Sequence, residues 1–191
     1  MAKIGFRHFY FAPFSGEEPE NGLPSYGERK KIGRAISADW SPEYAEGELY
    51  ADDEIAESDK EFVKGTLNAV VDDMLENVQA AIYGATLSES GNGVKHGADD
   101  NPPMGGITFI RAMKRNNVKY YEGNFMPKVK ATPGNSSAAT KASGFTYQTT
   151  NLNMSYYAAR DEKHTYHDIE VFETEAEAVA WCEGKLSASA S

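Results

Sequence analysis

Four histidines, one cysteine and several clustered carboxylates are the residues with which this chain could do chemistry. His164-x-x-His167-Asp168 has the residue types of a metal site. Its flanks, Thr165, Tyr166, Ile169 and Val171, read as a β-strand, in which residues three apart point to opposite faces and cannot readily share one ion. Cys182 falls on the apolar side of a helical stretch and reads as a small buried hydrophobe rather than a nucleophile. Asp52, Asp53 and Glu54 could suggest calcium. The central glycine and terminal glutamate of an EF-hand loop are absent, which favours a solvated or partner-facing acidic segment. The glycines from Gly91 to Gly97 match neither G-x-G-x-x-G nor a phosphate-loop spacing. No catalytic, cofactor-binding or metal-ligating set emerges, so a protein that is not an enzyme and carries no cofactor is expected.

The elements available to position these residues are mostly strands. Ala2 to Phe11 is aromatic and extended, and a loop rich in Gly, Pro and Glu follows from Pro13 to Gly27. Ile32 to Trp40 and Leu49 to Ile55 read as two arms of a long hairpin joined by the turn-rich SPEYAEG (41–47), and Glu61 to Val71 continues with β-branched residues. Ala85 to His96 holds a hairpin turning at Gly91-Asn92-Gly93, residue types that supply positive φ. Further strands are expected at Gly106 to Arg115, Val118 to Lys130, Phe145 to Ala159 and Tyr166 to Phe172. Many short strands with few helices predict a mainly β fold, two packed antiparallel sheets forming a sandwich or barrel.

Two helices interrupt the strands. In VVDDMLENVQAAIYG (70–84), Asp73 and Glu76 have the spacing of a capping box and Gly84 that of a C′ glycine. Leu75, Val78 and Ile82, with Met74 and Ala81, recur at helical spacing and form a core-facing side. A short C-terminal helix runs from Glu175 to about Glu183, with Thr174 and Glu177 as its box, Gly184 as terminator and Val179, Trp181 and Cys182 buried. The tail beyond Lys185 is expected to pack against nothing, and ATPGNSSAATKASG (131–144) reads as an exposed loop.

A chain of 191 residues, 40 % hydrophobic and 12 % aromatic, fits one folded domain. A formal net charge of −10 argues against a nucleic-acid clamp, which needs a basic surface to release counterions. Arg7 and His8 interrupt the apolar run of the N-terminus, so a leader peptide is not expected, and no apolar stretch approaches membrane-spanning length. One cysteine permits no intrachain disulfide. A cytoplasmic site of synthesis and folding is the expectation.

The charge is unevenly placed. From Asp39 to Glu61 stand Asp39, Glu43, Glu46, Glu48, Asp52, Asp53, Glu54, Glu57, Asp59 and Glu61 against Lys60. From Arg111 to Lys141 stand Arg111, Lys114, Arg115, Lys119, Lys128, Lys130 and Lys141 against Glu122. Two solvated faces of one molecule would account for this. Opposite charges on opposite surfaces would instead suit a heterologous contact that repeats from copy to copy.

Four pieces in one order carry a resemblance. They are MAKIGFRHFYFA (1–12), the AISAD strand (35–39) leading to YADD (50–53), the strand and helix from 62 to 84, and KYYEGNFMPKVKA (119–131). Over most of residues 1–158 the chain resembles the major tail tube proteins of long-tailed bacteriophages. The resemblance implies a fold like the tube protein of type VI secretion systems, two packed sheets with a flanking helix. It also implies sixfold rings stacking into a helical tube within the virion tail, through which DNA is ejected without being specifically bound. Partners would be further copies of the chain, the tape measure and the tail terminator, with no membrane. The long loop between the second and third strands, here about Trp40 to Glu61, would reach a neighbouring ring. A tube of a contractile secretion or killing apparatus, or a monomeric β-barrel ligand carrier, are the alternatives.

Overall fold

The structure, a computed structural model, describes residues 2–51, 54–133 and 149–187. The chain is mainly β. Its strands are β1 (Ala2–Pro13), β2 (Lys30–Lys31), β3 (Ala35–Ala51), β4 (Glu54–Val71), β5 (Thr86–Leu87), β6 (Val94–Lys95), β7 (Met104–Arg115), β8 (Val118–Thr132), β9 (Thr150–Tyr157) and β10 (Asp168–Phe172); its helices are α1 (Glu76–Tyr83) and α2 (Glu175–Lys185). Eight strands form one antiparallel sheet in the order β2-β1-β7-β8-β9-β4-β3, with β10 also on β8, and β5 and β6 form a separate hairpin.

Among the described residues, the strands expected to form two separate sheets are joined in one hydrogen-bonded sheet that folds over at β8. Along Tyr121–Phe125 the outer edge of β8 pairs with β10, and along Lys128–Thr132 it pairs with β9. The exchange falls around Pro127, whose missing N–H suits a break in the ladder, and the register against β7 shifts at the same point. The two ends of the sheet thereby enclose one core. Phe9, Phe11, Ile107, Phe109, Met126 and Val129 from one layer meet Leu67, Ala69, Leu152, Met154 and Tyr156 from the other. β7 is buried along most of its length because the core lies on one of its faces and α2 on the other.

Helix α2 begins as its sequence predicts: Thr174 and Glu177 form a reciprocal capping box. Ala178 and Cys182 are its buried residues, whereas Val179 and Trp181 are partly buried. The Trp181 ring lies over Gly123, where any side chain would collide with it. The helix runs through Gly184, which is not its terminator, and Leu186 beyond it is buried against Ala12, Tyr26 and Phe125. The expectation of an unpacked tail therefore fails at Leu186, and residues 188–191 lie outside the described residues. At the other side of α2, Arg7 and His8 of β1 both bond Glu175, at 3.0 Å each.

Helix α1 departs from its predicted start. Asp72 accepts from the backbone N–H of Arg34 and of Asp73, which ties this segment to the entry of β3 and keeps it extended. The helix starts only at Glu76, with Leu75 as N-cap and no side-chain cap. Leu75 is accordingly 61 % exposed rather than part of the core, while Val78 and Ile82 are buried as expected. Gly84 closes the helix at φ 68°, in the left-handed region.

The hairpin arms also differ. SPEYAEG (41–47) is not a turn but the middle of β3, paired throughout with β4. Pro42 is tolerated there because β3 is the edge strand of the sheet. The predicted arm at Leu49 to Ile55 instead spans the end of β3 at Ala51 and the start of β4 at Glu54, which pair with each other, and Asp52 and Asp53 lie outside the described residues. The strand expected from Tyr166 starts at Asp168, and that expected from Phe145 is described from Thr150. Ala131 and Thr132 belong to β8 rather than to a loop, and residues 134–148 of the low-complexity stretch lie outside the described residues.

Candidate functional site

The long β3–β4 hairpin is the feature that the rest of the fold does not account for. β9 covers β4 only from Gly65 to Val71. From Glu54 to Lys64 that strand pairs with β3 alone, leaving a two-stranded ribbon with both outer edges open among the described residues. An isolated ribbon is marginal in water, and open edges are templates for pairing with another chain.

An aromatic brace holds the base of this ribbon to the body. Phe62 stacks on Tyr166 with ring centroids 4.0 Å apart, Tyr44 meets Phe62 edge-on at 5.9 Å, and the Tyr44 and Tyr166 hydroxyls are 3.0 Å apart. Tyr156 extends the stack and covers Gly65, where an added side chain would overlap the ring. Burial, with Tyr166 and Tyr44 beside it, pushes the Tyr156 phenol up to about 12. Further along, Glu46 pairs with Lys60, whose hydrogen bond holds the Glu46 carboxyl below its usual range, and Glu43 pairs with Lys64 at 3.7 Å.

Most of the acidic candidates gather on this ribbon. Glu43, Glu46, Glu48, Glu54 and Glu57 belong to its two strands, and Asp39 lies at its root opposite Asn68. Asp52 and Asp53 lie outside the described residues. The basic candidates do not form one surface. Arg111 pairs with Glu122 inside the fold and lies 4.8 Å over the Trp40 ring. Lys128 pairs with Glu18 at 2.5 Å, and Lys130 donates to the Asn101 side-chain oxygen at 2.8 Å. Lys114 and Arg115 lie at the exposed end of the β7–β8 hairpin, where the Arg115 guanidinium is 5.9 Å over the Tyr120 ring.

The charge pattern alone overlooks the inward cluster around Arg111. The Asn124 amide donates to the Glu122 carbonyl at 3.1 Å, and His167 Nε2 is 3.1 Å from the Asn124 side-chain oxygen. Trp40 meets the His167 ring edge-on at 5.8 Å, so these groups link β3, β7, β8 and the segment before β10. A signal for it exists in the hairpin: Asn116 and Asn117 both have positive φ, and a two-residue turn there places Arg111 opposite Glu122.

Burial, aided by Arg111 and opposed by Glu122, pushes the His167 imidazole down to about 4. Between pH about 6.5 and about 4 the unfolded chain therefore takes up a proton that the folded chain refuses. Stability contributed by neutral His167 is complete above that window and falls on acidification through it, by about 3 kcal/mol in all. His167→Gln should flatten this slope in urea titrations between pH 7 and pH 4. An unchanged slope in the variant would place the histidine in water.

The other reactive residues are dispersed. His164 sits in a turn at φ 50°, not in the strand expected for it, and His96 is 3.9 Å from Asp100. Cys182 is buried, which pushes its thiol up to about 12. Among the described residues no group of His, Cys, Asp and Glu has a metal-holding arrangement. No described helix is long and apolar enough to cross a membrane.

No family model matches the chain, and no curated protein matches it.

Proposed function

We propose that this chain is a structural subunit of the phage tail tube type, forming sixfold rings that stack into a tube for DNA passage. The carrying observation is the acidic β3–β4 ribbon, braced at its base and open along both edges beyond Gly65. A monomeric carrier has no use for such edges, whereas an assembly removes them by pairing or covering. The resemblance in the sequence supplies the tube itself: its finer fold, its virion location and its partners. The net charge of −10 fits a channel that must release DNA instead of holding it.

Electron microscopy of the purified protein is the direct test, with rings or tubes expected. Replacing Asp52, Asp53 and Glu54 by Lys should leave the fold intact and should impair assembly, since charge patterning sets how copies associate more than whether each one folds. Tubes of normal length from that variant, or a monomer at every wild-type concentration, would sink the proposal. Duplex DNA should show no measurable binding even at low salt, where non-specific binding is strongest.

A further inference from the structure

We infer that Lys114 and Lys119, at the end of the β7–β8 hairpin, dock on the acidic ribbon of a second copy lying beside the first and not stacked end to end with it; this rests on the self-assembly proposed above. Lys114 and Lys119 occupy directly opposite register positions. Like charges so placed repel. Both are exposed, neither has a hydrogen-bond or ion-pair partner among the described residues, and Val118, the first residue of β8, is 52 % exposed. The free chain thus presents a repelling pair of cations beside an apolar contact point, and an anionic surface would relieve it.

The ribbon of another copy has that charge. Glu43 and Glu46 are matched by Lys64 and Lys60. Glu57, Asp59 and Glu61 occupy alternate positions of β4 opposite Leu49, Gly47 and Ala45, none of them cationic. The cationic end of one hairpin and the acidic sequence of the other are therefore complementary in charge between copies, which sets orientation and suppresses other pairings.

Register decides how the copies lie. β9 is antiparallel to both neighbours and its Tyr156 pairs with Gly65 on one side and Val129 on the other, so β4 and β8 run parallel. From that shared rung, Glu54 and Val118 are the same number of residues away, and both hairpins point to the same end of the molecule. The two meet at their roots, where Trp40 lies against Phe109 and Arg111. The strand twist of about 20–25° per step turns their ends apart, so each ribbon reaches a neighbour's basic end more readily than its own. Elements at the same end cannot link copies in an end-to-end stack. They can link copies side by side in one orientation, a heterologous contact that closes into a ring.

Two variants test this: Lys114→Glu with Lys119→Glu, and Glu57→Lys with Asp59→Lys and Glu61→Lys. Each should retain the wild-type circular dichroism and melting curve, and each alone should associate at least tenfold more weakly in sedimentation velocity. An equimolar mixture should restore assembly, because every contact in an alternating ring again joins opposite charges. Wild-type association by the lysine variant, or failure of two folded variants to complement, would overturn the inference while leaving tube formation in place. Complementation that stops at two copies would also overturn it, in favour of a two-fold dimer. Salt-sensitive duplex DNA binding lost with the lysines would assign this surface to nucleic acid instead. A wild-type chain that never associates would remove the underlying proposal as well.

Discussion

Phe109→Ala is expected to lower the stability of the folded chain by about 3–5 kcal/mol, the cost of deleting a buried aromatic ring whose site cannot collapse. The ring is fully buried where the folded sheet closes on itself. It meets Phe6 at 5.1 Å, Phe9 at 6.2 Å and Trp40 at 5.3 Å, so its contacts join β1, β7 and β3. Removing it opens a void among side chains that are carried by three different strands. Guanidinium titration should show a lower midpoint with an unchanged slope, the sign of lost stability rather than a changed unfolded state. A loss below about 1 kcal/mol would mean that the two layers close without this ring.

Val78→Asp should be at least as severe. Val78 is 3 % exposed on the inner side of α1, within the main core, and Ile82 one turn on is fully buried. A carboxylate there has no partner and must either ionise in an apolar site or take up a proton. The cost is several kcal/mol, enough to unfold a domain of ordinary stability. Leu75→Asp on the same helix should do the reverse. Leu75 is the exposed N-cap and caps nothing with its side chain, and aspartate at that position typically adds about 1 kcal/mol. A cooperatively folded Val78→Asp protein, or an unfolded Leu75→Asp protein, would show that the helix presents a different face.

The two helices show where local signals suffice and where they fail. For α2 the box at Thr174 and Glu177 is a contact within one turn, so it is readable from four residues and is found in the structure. For α1 the same spacing at Asp73 and Glu76 gives no box, because Asp72 is bonded to Arg34, which is remote in sequence. The cap thereby falls two residues later, on Leu75, which leaves the core. In β3, SPEYAEG reads as a turn by composition, yet pairing with β4 over the whole stretch extends it. Strand pairing is a long-range interaction and overrides local turn preference.

The β-rich class, most strand positions, the capped C-terminal helix and the separation of acidic from basic segments are legible in the chain before it folds. These follow from alternation, capping and composition, all expressed within a few neighbouring residues. The turn at Asn116-Asn117 even sets which residues oppose each other across β7 and β8, since a two-residue turn leaves one register. The continuity of the sheet and its fold at β8 emerge from long-range pairing, because strand order depends on which distant edges meet. Long-range pairing also governs which charges remain available. Arg111 and Lys128 look like surface cations in the chain, but desolvation drives each to a carboxylate brought from elsewhere, Glu122 across the hairpin and Glu18 from the N-terminal loop, while Lys114 and Lys119 are left facing water.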